Sequence, residues 1–362
     1  MTLQWATLDA RALPAWAELT RVLAEADGTG EFYSATDLAE ELTEEEFDPT
    51  HDSLALWDGE QLVAYAQLRA RAGVTHAQGH ARAKLGGGVH PDYRGQGIAT
   101  AMFEAMEPRA LDLARRRNPG APVSLRVDAG LESDPVRPLL IERGYWPARY
   151  FTLMRRPLPG DDLGEPDPRV RPLTPDLHEA TRMAHNDAFA SHWGSAPISA
   201  ENWRHVLGSH AARPEYSFVV VESPDGPGSR PERRTEPPQE HRTDTAYERR
   251  TEPAQESADG LRPGSPQVLA YATAGQWTER DLYVTLVGTR PRARGKGLAR
   301  AVLSAVITAA TRSGAFDVIE LDVDTQHPQG AGALYGSLGF HPVRTTAVFT
   351  RVEPARPGAV TG

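Results

Sequence analysis

Along this chain, short stretches of alternating apolar and polar residues give way to longer runs with helical spacing, and the same succession occurs twice. In the first half the pattern predicts helices near Leu13 to Asp27 and Thr36 to Glu46. Strands follow around Ser53 to Trp57, Leu62 to Arg69 and Ala81 to Val89, then a helical run from Ala99 to Arg117 and a β-rich segment from Val123 to Asp128. The second half starts extended at Val170 to Leu173, with Thr174 read as a helix cap before Pro175. Helices near Pro175 to Ala190 and Ala200 to Leu207 precede strands near Tyr216 to Val221, Gln267 to Thr273 and Leu282 to Val287. A helical run from Leu298 to Ser313 and a β-rich segment from Val318 to Val323 come next. Each half closes with a further helix, a glycine-aromatic pair (Gly144-Tyr145, Gly339-Phe340) and an extended stretch ending near Met154 or Phe349. Strands, a helix, then strand and helix again suit an α+β fold with a mixed sheet on which the long helix packs.

Two stretches break the pattern. Pro157 to Pro168 is a proline-rich acidic connector suited to linking compact units. It divides the chain into a domain of residues 1–157, a linker of 158–168, a second domain of 169–354 and a tail of 355–362. The other stretch, residues 224–266, repeats ERRTEPPQE as ERRTEPAQE and has Tyr247 as its only aromatic. It can bury almost nothing, so a disordered insertion between two strands is expected.

Composition narrows the setting. With 40% hydrophobic and 24% charged residues in 362, the chain has the make-up of a globular protein of two or three domains. No apolar run is long enough to span a bilayer and no signal-peptide layout is present, so a cytoplasmic protein without a membrane partner is expected. The absence of cysteine rules out disulfides, thiolate metal sites and a cysteine nucleophile. A net charge of −10 argues against a general nucleic-acid partner, which needs a basic face to displace counterions.

The most informative repeat is a six-residue phrase. Arg94-Gly95-Gln96-Gly97-Ile98-Ala99 and Arg294-Gly295-Lys296-Gly297-Leu298-Ala299 each join an extended segment to a long helix, with proline at the same offset upstream. Such a turn leaves backbone N–H groups unpaired at a helix start, backed by the helix dipole. The glycines let an anion approach the main chain, and Arg94 or Arg294 adds a charged fork. A dinucleotide fingerprint needs a third glycine, but Thr100 and Arg300 stand there, and neither turn has the G-K-[ST] ending of a Walker A loop.

The phrase R-x-x-G-x-A after a strand, followed by a strand and by Leu334-Tyr335-Gly336-Ser337-Leu338-Gly339-Phe340, resembles the GCN5-related N-acetyltransferase family. The likeness covers most of both halves and implies two tandem domains of that type, each a mixed, mostly antiparallel sheet flanked by helices. It implies acetyl-CoA as co-substrate, with the pyrophosphate on Arg94 to Ala99, Arg294 to Ala299, or both. It also implies a backbone N–H from Val89 or Thr289 to the acyl carbonyl. Tyr335 matches the family's tyrosine near the CoA sulfur, where a phenol of pKa about 10 can protonate a thiolate of pKa about 8.5. In the first half Leu140 stands at that position, so the resemblance implies that the C-terminal domain catalyses and the N-terminal one has diverged. His327 takes the slot where the family often has an asparagine on the pantetheine arm.

The remaining site residues carry weaker signals. Asp281 and Tyr283 share one face of the strand leading to Thr289, the face on which histone-type members carry a glutamate. Asp281 is the candidate general base, with Glu279 and Asp324 behind it and a water chain as the alternative. Residues 186–203 would cover the C-terminal sheet, where His192, Trp193 and Trp203 form an aromatic wall for the acceptor. His76 and His80 fall in a loop or strand without an HExxH-type glutamate, and no metal is assigned. The expected activity is direct acetyl transfer to an amine of a small molecule or protein. A non-enzymatic acyl-CoA sensor and an interaction scaffold are the alternatives.

Overall fold

The strand that ends each half lies in the other half. The computed structural model describes residues 3–75, 78–222, 266–326 and 331–356. The first half comprises β1 (Leu3–Ala6), α1 (Leu13–Ala26), α2 (Ala35–Glu41), α3 (Pro49–Asp52), β2 (Ser53–Asp58), β3 (Gln61–Arg69), β4 (Ala81–Val89), α4 (Ile98–Arg117), β5 (Val123–Asp128), α5 (Val136–Glu142) and β6 (Trp146–Pro157). The second comprises β7 (Val170–Pro172), α6 (His178–Ala188), α7 (Ala200–Gly208), β8 (Phe218–Val221), β9 (Val268–Thr278), β10 (Asp281–Thr289), α8 (Leu298–Ser313), β11 (Val318–Asp324), α9 (Ala331–Ser337) and β12 (His341–Glu353). All twelve strands form one mixed sheet in the order β1-β2-β3-β4-β5-β12-β6-β11-β10-β9-β8-β7. Thus β12 pairs with β5, β6 pairs with β11, and β6 and β12 pair with each other. The two halves of the chain therefore interlock where β12 and β6 lie side by side in the middle of the sheet.

Buried Arg156 ties this exchange together. It is only 2% exposed, and from β6 it donates to the carbonyls of Leu338 and Asp161 at 2.7 and 2.6 Å. Gly339 stands where any Cβ would overlap the Arg156 guanidinium.

Sequence explains the helices that carry the turns. α8 begins at Gly297 and stops at Gly314, both left-handed, and buries Leu298, Ala301, Val302, Ala305, Val306 and Ala310 as one stripe on the sheet. Each fully buried Val on that stripe contributes about 1.5–3 kcal/mol. α4 lies equivalently on the first half. The α2 helix opens with a reciprocal Ser34–Asp37 capping box but ends at Glu41, short of the expected Glu46. The helix expected from Pro175 starts as a 3₁₀ turn, and Thr174 makes no capping bond. No helix among the described residues is long and apolar enough to cross a membrane. The proposed insertion at 224–266, apart from residue 266, lies outside the described residues, as do His76 and His327.

The sheet opens at two places. Parallel strands β10 and β11 pair only from Asp281 to Tyr283, and β4 and β5 only from Ala81 to Leu85, after which each pair parts. Each gap faces the glycine turn of its own half.

Candidate active site

The two turns are nearly superposable in backbone but differ in charge. Gly95 and Gly97 have φ of 74° and 78°, and Gly295 and Gly297 have 74° and 73°, a region that disfavours any residue with a Cβ. A Cβ at any of the four would meet nothing within 4 Å, so both turns face open space. No side chain caps α4 or α8, which leaves the first backbone donors of each helix for an anion. Arg94, however, forms a two-pronged ion pair with Asp27 at 2.8 and 2.9 Å. Arg294 instead donates to the carbonyls of Ala188 at 2.8 Å and Thr289 at 3.3 Å, so its charge meets no carboxylate among the described residues. Lys296 and Gln96 are exposed beside their turns.

The C-terminal turn heads a cavity of about 470 Å³ in the opening between β10 and β11. Thr289, Arg294, Gly295, Gly297, Leu298 and Ala299 line one end, and His192, Asp322, Asp324 and Tyr335 also face it. The Thr289 Oγ1 is buried with no hydrogen-bond partner, an orphaned polar atom of the kind a ligand satisfies. Between Val284 and Leu286 the register of β10 on β9 slips, leaving Thr285 without a ladder partner on the cavity wall. β4 has no such slip on β3.

Tyr335 is 9% exposed and packs edge-on against Phe340, with ring centroids 6.2 Å apart. Its hydroxyl forms no hydrogen bond among the described residues, and burial pushes its pKa up to about 12. The N-terminal cavity, about 390 Å³, is lined by Val89, Arg94, Gly95, Gly97, Ile98, Ala99 and the glycines of β4. That cavity is not lined by Leu140, the counterpart of Tyr335, which is fully buried in the core. Its lining phenol, Tyr93, donates to Asp58 at 2.9 Å.

Other residues singled out in the sequence are placed less centrally. Asp281 accepts from Thr278 Oγ1 at 3.0 Å at the start of β10 and does not line the cavity. Two carboxylates of β11 do. Asp322 accepts the Tyr283 hydroxyl at 2.7 Å, and Asp324 Oδ2 lies 3.8 Å from His192 Nε2 and 3.7 Å from Arg149 Nε. The signal for Asp322 was the alternation Glu320, Asp322, Asp324 on one face of a strand, which reads equally well as a solvated edge. Trp203 is 1% exposed and belongs to the core, where it donates to the His178 carbonyl at 2.9 Å and meets Tyr271 edge-on. Trp193 lies under two guanidinium groups, those of Arg126 and Arg149, 4.3 and 5.1 Å from its ring centre.

Comparison with known proteins agrees with this geometry. Residues 16–129 and 229–340 match the acetyltransferase (GNAT) family. The chain is 25% identical over 355 residues to the mycothiol acetyltransferase of Rothia mucilaginosa (strain DY-18), covering 93% of this chain and 89% of the relative. Among solved structures, a GCN5-related N-acetyltransferase from Sphaerobacter thermophilus aligns with a TM-score of 0.68 at 22% identity, over 98% of this chain and 96% of its own. A tandem GNAT protein from the clavulanic acid biosynthesis pathway aligns with a TM-score of 0.61 at 16% identity, over 99% of this chain and all of its own (100%). With both halves matched, the chain belongs to the acetyltransferase (GNAT) family in a tandem arrangement, and its chemistry is acyl transfer.

Proposed function

We propose that the C-terminal half transfers an acetyl group from acetyl-CoA directly to an amine of a small molecule or protein, and that the N-terminal half is divergent and non-catalytic. The observation that carries this reading is the Tyr335 hydroxyl, desolvated and without a hydrogen bond among the described residues, in a cavity headed by an open anion-binding turn. The turn from Arg294 to Ala299, whose arginine meets no carboxylate among the described residues, would hold the pyrophosphate. His327 stays a candidate for the pantetheine arm. β10 would supply a main-chain donor for the carbonyl oxygen, at Thr289 or at the unpaired Thr285.

In the reaction the amine nitrogen bonds to the acyl carbon and the carbon–sulfur bond breaks. The amine proton passes to the carboxylates at the Asp322–Asp324 edge, and Tyr335 protonates the departing thiolate. Asp281 would act on the amine only through water. Without cysteine the chain cannot form an acyl-cysteine intermediate, which favours direct attack. A cytoplasmic location fits a co-substrate whose phosphates prevent it from crossing membranes unaided.

Release of free thiol from acetyl-CoA over a panel of primary amines tests the reading. Amine-dependent thiol release that Tyr335→Phe suppresses is the expected result. Tight acetyl-CoA binding with no amine-dependent release would favour a sensor instead.

A further inference from the structure

Three arginines gather at the Trp193–Gly194 segment, next in the chain to His192 of the cavity wall, without enough negative charge to match them. Arg82 on β4 and Arg126 on β5 stand on one face of neighbouring strands, in a register that pairs Arg82 with Ser124 and Lys84 with Arg126. Their shared partner is one neutral group, the Gly194 carbonyl, at 2.9 and 3.4 Å. Neither forms an ion pair among the described residues. Arg149, on β6, also approaches the Trp193 ring, its guanidinium 5.1 Å from the ring centre against 4.3 Å for that of Arg126.

Their polar atoms are only partly satisfied. The Nε atoms of Arg82 and Arg149 are buried without a hydrogen-bond partner. Burial, reinforced by the neighbouring Arg82, pulls the Arg126 pKa down to about 10, and burial lowers that of Arg82 as well. The carboxylates nearby do not balance the group. Asp128 is held by Lys84 at 2.6 Å, and Asp324 lies 3.7 Å from Arg149. Lys84 is offset by Asp128, with Glu41 and Glu31 also near it, whereas the three arginines have a single carboxylate within 4 Å among the described residues, Asp324 beside Arg149. Clamping a loop carbonyl does not account for this, because a carbonyl accepts hydrogen bonds but neutralises no charge, and partly buried charge left unpaired carries a desolvation cost.

We infer that the acceptor carries an anionic group, a carboxylate or phosphate, that binds among Arg82, Arg126 and Arg149 beside Trp193 while its amine reaches the Asp322–Asp324 edge. Continuity supports the assignment, since Asp324 bridges the two regions, 3.7 Å from Arg149 and 3.8 Å from His192. A guanidinium fork is also the side chain best matched to carboxylate or phosphate. The inference rests on the acyl-transfer reading above.

The test measures thermal stabilisation of the CoA-bound protein by free amino acids, by their α-carboxamides and by inorganic phosphate, at constant ionic strength. Acetyl-CoA and CoA binding are measured first. If neither binds, the acyl-transfer reading fails. With CoA bound, the acids are expected to bind at least about tenfold more tightly than the matching amides. That preference should vanish in Arg82→Gln and Arg126→Gln while CoA affinity stays unchanged, which also shows that the variants remain folded. Amides binding as well as acids would overturn the inference. Phosphate binding without any preference for acids would overturn it too, by assigning the arginines to a free anion.

Discussion

Arg94 grips both carboxylate oxygens of Asp27, the residue that ends α1, whereas its counterpart Arg294 is left with carbonyl partners. One repeat thus carries its own counter-anion, and among the described residues the other does not. Asp27→Asn should free Arg94 and raise the affinity of the N-terminal cavity for CoA by about tenfold, since a charge-assisted pair to phosphate is worth roughly 1.5 kcal/mol. The loss of this partly exposed pair should cost no more than about 1 kcal/mol of stability. Calorimetry on the Gly297→Glu background reads this out, and an unchanged N-terminal affinity would show that Asp27 is not what blocks the site.

Tyr335→Phe removes one oxygen from a packed ring. The kcat should fall about 10²- to 10³-fold, the range of a lost general acid, with little change in acetyl-CoA affinity. Because burial raises the phenol's pKa to about 12, its protonated form dominates throughout the usual assay range. A kcat profile that stays flat on its alkaline side up to pH 10 is therefore expected. An alkaline limb near pH 8 that disappears in Tyr335→Phe would contradict this assignment.

Asp322 and Asp281 are separated by function in this account. Asp322→Asn should lower kcat/KM for the amine by about 10²-fold, the lower end of general-base effects, and Asp281→Asn should change it by less than about threefold. Comparable losses in both, measured with saturating acetyl-CoA, would return Asp281 to a direct role.

His185 gives the fold an acid weakness. It is buried against Phe189 and bonded to the Tyr271 hydroxyl at 2.6 Å, and desolvation, helped by His192, lowers its pKa to about 4. A histidine depressed below its unfolded value stabilises the protein above that value, near pH 6.5, and loses this contribution as pH falls toward 4. The loss is about 3 kcal/mol across that window. Urea unfolding at pH 7 and pH 4.5 should show a drop that is smaller in His185→Gln. An equal drop in both proteins would assign the acid sensitivity to other groups.

What the sequence made legible was local. The glycine turns, the long helices behind them and Tyr335 depend on residues within a few positions of one another, and the repeat doubled each signal. The Arg94–Asp27 pair was illegible because its partner sits at the end of α1, far along the chain. The exchange of β6 and β12 was illegible for another reason. Neither strand carries a mark of which half it closes, and only the pairings across β5, β12, β6 and β11 and the contacts of Arg156 reveal it. Asp281 and Asp322 illustrate register. They occupy similar faces of β10 and β11, and only the parting of those strands after Tyr283 decides which carboxylate borders the cavity. Trp203 looked like a binding aromatic because it shares the segment 186–203 with His192 and Trp193, yet its helix turns that ring into the core.

The most direct test of the central claim is calorimetric titration with acetyl-CoA of the wild-type protein and of Gly97→Glu and Gly297→Glu. Each substitution places an anionic side chain in an open turn that has a left-handed backbone. The account predicts that binding is lost in Gly297→Glu and retained in Gly97→Glu. Loss in Gly97→Glu alone would contradict it and move the working site to the N-terminal half.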